Sequence, residues 1–162
     1  MNLDRRTLLG GGAMAALGLS IGAVRAAEGG PRPKAPFQLS DAEWRKRLSP
    51  QAYAVLRRGS TEYAFTSPLN KEKRKGIFAC AGCGQKLFDS RTKFESHTGW
   101  PSFWQPLPRA VATSIDRDLG YERTEVHCAR CGGHLGHVFE DGPRPTGLRY
   151  CMNGVALKFE PA

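Results

Sequence analysis

The sequence lacks a long hydrophobic run, and it has too few cysteines to be a disulfide scaffold. Its five cysteines are an odd number, so they cannot all pair within one chain. Low-complexity tracts are missing, and no segment repeats apart from two matching cysteine pairs. The 162 residues, 40% hydrophobic and 24% charged, therefore suit one globular domain with a hydrophobic core of its own.

The first 26 residues read as an export signal. Arg5 and Arg6 precede an uncharged stretch rich in Gly and Ala, which ends near Ala26. Such a stretch of 17 weakly apolar residues is short of the about 20 that span a membrane, although an uncleaved anchor is the rival interpretation. We predict a twin-arginine signal peptide over 1–26, a Pro/Gly-rich linker over 27–39 and a periplasmic domain over 40–162 with no stable membrane anchor.

The net charge of +9 raises the possibility of a nucleic acid partner. Removing the signal lowers it to +7, and the excess is uneven: residues 40–75 carry +5 and residues 76–162 only +1. The second half offers no track for phosphates. We therefore expect no nucleic acid partner, and keep as an alternative a metal-stabilised binding module whose basic N-terminal segment contacts an acidic partner.

The local patterns predict a mainly β protein with two short helices at its N-terminal side. Ser40 and Glu43 have the spacing of a capping box, and Pro50 to Gly59 has the ends of a second helix. Short segments rich in β-branched and aromatic residues predict antiparallel strands. These segments are Gly76–Cys80, Lys86–Phe88, Ala110–Ser114, Thr124–Cys128, Leu135–Phe139, Leu148–Cys151 and Val155–Phe159.

Four of the cysteines form two matching CxxC pairs, Cys80/Cys83 and Cys128/Cys131. Four thiolates on two tight turns favour one structural Zn²⁺ ion, which would organise the β core. A rubredoxin-type iron centre has the same ligands. Two disulfides would also suit an oxidising compartment, and a redox-active CxxC is a further reading.

The fifth cysteine, Cys151, lies between Arg149 and Asn153 on a predicted strand. Alternate residues of a strand share a face, and a neighbouring guanidinium favours the thiolate of a cysteine. We therefore interpret Cys151 as a nucleophile rather than as an inert buried thiol.

Two further segments carry candidate site residues. His134 and His137, followed by Asp141, are typical of an acid–base system. The segment from Gly99 to Trp104, with Trp100 and Phe103, is either core or the wall of an aromatic pocket.

Together these motifs resemble methionine sulfoxide reductases of the B type, over about residues 40–162. The resemblance implies reduction of the R epimer of methionine sulfoxide, chiefly in proteins, as a repair of oxidative damage. It implies Cys151 as the nucleophile, Trp100 and Phe103 as substrate-binding residues, and one structural zinc ion. It also implies catalytic or supporting roles for His134, His137, Asp141, Arg149 and Asn153. We favour His137 over His134 as the general acid.

One position departs from the family pattern. Many members carry a second redox cysteine just before the GWPSF motif, where this chain has Thr98. We therefore expect a thioredoxin-like protein or a small thiol to reduce Cys151 directly. We also expect a monomer, with Met152 facing the core.

Overall fold

A computed structural model describes residues 35–162 of the protein. The predicted signal peptide over 1–26 and most of the predicted linker lie outside the described residues. Within residues 35–162, no helix is long and apolar enough to cross a bilayer.

Two short helices open the described chain, and their ends confirm the sequence signals. Helix α1 spans Asp41–Arg47, and its Ser40 and Glu43 form the reciprocal capping box. Helix α2 spans Pro50–Arg58 and ends at Gly59. Helix α1 buries Trp44, and helix α2 buries an apolar face that includes Leu56. Helices this short depend on such tertiary packing for their stability.

Residues 35–162 contain nine strands in two antiparallel sheets. The strands are β1 (Gly76–Cys80), β2 (Lys86–Asp89), β3 (Lys93–Phe94), β4 (Ser102–Phe103), β5 (Val111–Asp116), β6 (Arg123–Cys128), β7 (His134–Phe139), β8 (Arg149–Met152) and β9 (Leu157–Pro161). One sheet has the order β2-β1-β9 and the other β3-β4-β8-β7-β6-β5. The prediction of a mainly antiparallel β fold with two short N-terminal helices is confirmed.

The two-residue strands β3 and β4 are absent from the prediction. They lie among Gly, Pro and polar residues, and two residues cannot display an alternating pattern. The last predicted strand, Val155–Phe159, begins later than expected. A 3₁₀ turn occupies Gly154–Ala156 before β9.

Aromatic side chains from both sheets meet in the core. Phe103 of β4 stacks on Phe88 with ring centroids 4.4 Å apart and meets Phe78 edge-on at 4.9 Å. Met152 is also fully buried, as predicted. These contacts join the two sheets and anchor β4, which pairs with β8, the strand of Cys151.

Candidate active site and metal centre

The four CxxC cysteines come together in one buried cluster. Their Sγ atoms all lie within 4.8 Å of one another, with Cys80–Cys131 at 3.8 Å and Cys83–Cys128 at 3.6 Å. A metal–sulfur bond of about 2.3 Å in a tetrahedron places neighbouring sulfurs about 3.8 Å apart. The residues present therefore fit a single tetrahedral metal ion.

The same distances fit a metal site better than two disulfides. A disulfide needs about 2.05 Å between sulfurs, and the Cys80–Cys131 and Cys83–Cys128 pairs are 3.8 and 3.6 Å apart. Cys80 ends β1 and Cys128 ends β6, so a shared ion would link one sheet to the other.

Both CxxC turns have the same backbone hydrogen bonds. The amide of Gly84 donates to the carbonyl of Cys80, and the amide of Gly132 donates to that of Cys128. Both glycines have positive φ, 73° and 64°, which residues with a Cβ rarely adopt.

Two arginines of the basic segment 40–75 donate hydrogen bonds to these turns. Arg47 donates to the carbonyl oxygen of Gly82 at 2.6 Å, and Arg57 donates to that of Cys131 at 3.1 Å. These hydrogen bonds connect both helices to the two CxxC turns.

Cys151 opens into a small cavity of about 120 Å³. Thr61, Trp100, Arg123, Gly136, His137, Phe139, Cys151 and Asn153 line it. Strand pairing sets the position of the thiol, because Cys151 lies opposite His137 on one side and opposite Ser102 on the other. The cavity combines an indole, a phenyl ring and an imidazole around one sulfur.

Burial raises the pKa of the Cys151 thiol above its ordinary value. Hydrogen bonds from Thr98, Ser102 and Arg149, and the charge of Arg149, oppose this rise without overcoming it. The expectation that Arg149 leaves Cys151 with a favoured thiolate is thus wrong for the net shift. The guanidinium acts in the expected direction, but desolvation is the larger effect.

The two histidines contact different carboxylates, and only His137 reaches the Cys151 cavity. His137 shares the Cys151 cavity, and its Nε2 lies 2.7 Å from Oδ2 of Asp116. The Nδ1 of His134 lies 2.6 Å from Oε1 of Glu125. His134 lines a neighbouring cavity of about 260 Å³, which His137 also borders.

The surroundings of His137 affect its ionisation in two opposing ways. Burial lowers its pKa, and the hydrogen bond to Asp116 offsets part of that effect. Burial by itself would raise the pKa of Asp116, but hydrogen bonds from the Asp118 amide and His137, with the charge of Arg123, hold it below the ordinary value. Asp116 therefore stays ionised and faces the imidazole.

Asp141 does not contact the histidines, contrary to the acid–base interpretation of their shared segment. Its carboxylate accepts two hydrogen bonds from Arg149, at 2.8 and 2.7 Å. The guanidinium also lies over the ring of Phe139, 4.5 Å from its centroid. Asp141 thus holds Arg149, while Asp116 and Glu125 are the partners of the histidines.

Asn153 and Trp100 are held by one loop residue. The side-chain oxygen of Asn153 accepts from the amide of Glu62 at 2.9 Å, and its NH₂ donates to the carbonyl of Leu135. The indole N–H of Trp100 donates to the carbonyl of Glu62 at 3.1 Å.

Phe103 lies apart from the cavity. Its side chain is fully buried between Phe78 and Phe88. Neighbouring residues of a strand point to opposite faces. Ser102 lies opposite Cys151 in the strand pairing, and the side chain of the next residue, Phe103, points into the core. A substrate in the cavity does not reach the phenyl ring.

Sequence reasoning missed Glu62, Asp116 and Glu125. The predicted strand Ala110–Ser114 stopped before Asp116, whereas β5 continues to that residue. A longer predicted strand would have included Asp116. Glu125 lies inside the predicted strand Thr124–Cys128, but only the pairing of β6 with β7 shows that it is near the histidines. No local pattern marks Glu62, which lies between α2 and β1.

Comparison with known proteins gives a consistent result. The SelR domain family matches residues 48–161. The chain is 56% identical over 122 residues to peptide methionine sulfoxide reductase MsrB of Leptospira interrogans, covering 75% of this chain and 93% of that protein. It is 53% identical over 123 residues to the MsrB of Agrobacterium fabrum, covering 75% and 91%. It is also 46% identical over 151 residues to the chloroplastic B1 enzyme of Arabidopsis thaliana, covering 88% and 75%. These matches confirm the resemblance seen in the motifs: the chain belongs to the MsrB family of peptide methionine sulfoxide reductases.

Proposed function

We propose that this protein reduces the R epimer of methionine sulfoxide, mainly in oxidised proteins and peptides, to methionine. The observation that carries the proposal is the cavity that Cys151 shares with Trp100 and His137. A thiol, an apolar ring face and a proton donor around one small space are what the reduction of a methyl sulfoxide needs.

The chemical step moves one oxygen and two electrons. The Cys151 thiol gives its proton to His137, and the thiolate attacks the sulfoxide sulfur to form an S–S bond. His137 passes this proton to the sulfoxide oxygen, the resulting hydroxyl group moves to the Cys151 sulfur, and the S–S bond breaks to release the thioether. The sulfoxide sulfur is reduced to the thioether, and Cys151 is oxidised to the sulfenic acid. The net change, thiol plus sulfoxide to sulfenic acid plus thioether, needs no further reactant.

The sulfenic acid is then reduced by an external thiol. Thr98 stands where many family members carry a second redox cysteine, and its Oγ1 lies 3.8 Å from the Cys151 sulfur. The other four cysteines of the chain are in the buried cluster. Two equivalents of a small thiol, or one dithiol protein of the thioredoxin type, return Cys151 to the thiol and release one water and one disulfide.

The four-cysteine cluster holds one structural Zn²⁺ ion in this proposal. Cys80, Cys83, Cys128 and Cys131 would be its ligands, and a closed set of four thiolates leaves no position for substrate. The ion would cross-link the two sheets and take no part in the redox step.

The proposed compartment rests on the sequence alone. The twin arginine and the apolar stretch after it support export to the periplasm in the folded state, with the metal already bound. We propose that the exported form acts as a monomer on oxidised exported proteins.

Turnover of a peptide that carries either the R or the S sulfoxide tests the proposal. With dithiothreitol as the thiol, the wild type is expected to reduce only the R epimer. Cys151→Ser is expected to lose activity while keeping its zinc content and unfolding temperature. Equal rates on the two epimers, or full activity in Cys151→Ser, would contradict it.

A further inference from the structure

Glu62 lies on the segment that connects α2 to the 3₁₀ turn at Pro68–Lys71. Its side chain reaches residues more than 90 positions later in the chain. Oε1 accepts from the amide of Gly154, and Oε2 accepts from the amide of Val155 at 3.0 Å. A single carboxylate thus binds two consecutive backbone N–H groups.

These two amides begin the 3₁₀ turn Gly154–Ala156, directly after Asn153. The first amides of a helical turn have no partner within the turn, and the residue before it commonly supplies one from its own side chain. Asn153 makes no such bond. Glu62 therefore caps this turn from a distant part of the chain.

Capping by Glu62 leaves the side chain of Asn153 available for the site. Its oxygen accepts from the amide of Glu62, and its NH₂ donates to the carbonyl of Leu135 on β7. The carbonyl of Glu62 meanwhile accepts from the indole of Trp100. The carboxylate, the amide and the carbonyl of Glu62 thus each bind a different part of the cavity wall.

The nucleophile does not depend on these bonds. Cys151 is held by the pairing of β8 with β4 and β7, and none of those ladder contacts involves Glu62. Loss of the Glu62 carboxylate would therefore move Trp100 and Asn153 relative to a thiol that stays in place.

We propose that Glu62 is a positioning residue that sets the affinity of the cavity for the sulfoxide. It fixes the spacing between the indole that meets the methyl group and the strand that carries the nucleophile. The inference rests on the proposed function, because it assumes that Trp100 and Asn153 contact the sulfoxide.

Glu62→Gln tests this with a side chain of the same length. Its amide has one acceptor oxygen and an NH₂ group, so one of the two backbone amides faces a donor. We expect the KM for a methionine-R-sulfoxide peptide to rise about tenfold, equivalent to about 1.4 kcal/mol, with kcat within about twofold of the wild type. The rate of Cys151 alkylation by iodoacetamide is expected to stay within about twofold, since the nucleophile does not move.

Glu62→Asp is the second variant. It keeps the charge but is too short to reach both amides, so its KM is expected between those of the wild type and Glu62→Gln. If Glu62→Gln does not fold, this variant decides: a wild-type KM in Glu62→Asp would then overturn the proposal.

The matched control is Glu43→Gln, the same substitution at a carboxylate that accepts a hydrogen bond from the amide of Ser40, the N-cap of α1. It is expected to lower the unfolding temperature slightly and leave KM unchanged. If Glu62 had only a structural role, Glu62→Gln would show the pattern of this control: a smaller amount of folded, active enzyme with an unchanged KM. That result would refute the inference. If the wild type itself reduces no sulfoxide, the proposed function has failed and the role of Glu62 in substrate affinity falls with it.

Discussion

Cys128→Ser removes one ligand from the four-cysteine cluster and tests whether a metal ion cross-links the two sheets. Cys128 is fully buried at the end of β6. Its sulfur lies 3.6 Å from that of Cys83, a residue 45 positions away in the sequence. Serine has nearly the same shape, so the change removes a soft ligand and little packing.

The expected loss of stability follows from the length of the loop that the ion closes. For a cross-link across 45 residues, the entropy of loop closure in the unfolded chain is worth about 4 kcal/mol. Total stabilities of single domains are about 5–15 kcal/mol. The unfolding temperature is therefore expected to fall by about 10–15 °C, and the variant can unfold altogether near 37 °C.

Thermal unfolding followed by circular dichroism, together with metal analysis of the purified protein, measures both quantities. Cys151→Ser is the matched control, because it is the same substitution outside the cluster and should keep one zinc ion per chain. A Cys128→Ser protein that carries no metal and yet unfolds within about 2 °C of the wild type would refute the cross-link.

Three further predictions concern the redox site. Thr98→Cys puts a thiol near Cys151, so one turnover should give an internal disulfide, seen as a loss of two hydrogens. A thioredoxin-type protein should then reduce the oxidised variant faster than the oxidised wild type. Arg149→Gln removes a positive charge that lowers the pKa of Cys151, so this pKa should rise. The alkylation of Cys151 by iodoacetamide at pH 7 should then slow about tenfold per pKa unit. An unchanged alkylation rate would mean that Arg149 does not favour the Cys151 thiolate. Asp116→Asn removes the negative charge that helps to raise the pKa of His137, so the fall of kcat with rising pH should begin at lower pH. An unmoved profile means that His137 is not the acid.

The sequence predicted helix ends and strands correctly where the signal is local, that is, where it depends on the spacing of a few neighbouring residues. The capping box at Ser40, the helix end at Gly59 and the strand Gly76–Cys80 are all found where the patterns place them. The two CxxC turns come together in one buried cluster, as expected from their matching spacing. Spacing alone was sufficient for these features.

The missed features of the site depend on contacts between distant strands. Asp141 lies only four positions after His137 in the sequence, yet the carboxylate that contacts the imidazole belongs to Asp116, 21 positions away. Register follows from the pairing of whole strands, and an error of a few residues at the end of β5 hides the partner.

Burial is the other quantity that the sequence did not supply. Arg149 next to Cys151 indicated a favoured thiolate, but the cavity desolvates the sulfur enough to raise its pKa. Likewise, Phe103 belongs to a motif of the site while its ring lies in the core. Both outcomes depend on which face of a strand meets the interior.

The intact mass of the protein after a single turnover without reductant tests the proposed reaction most directly. The metal-loaded wild type is mixed with one equivalent of a methionine-R-sulfoxide peptide. One added oxygen is expected, about 16 Da, located on Cys151 by dimedone labelling, with one equivalent of methionine peptide released. A loss of two hydrogens mapped to a disulfide between Cys151 and another cysteine of the same chain, or methionine formed with no change at Cys151, would contradict it.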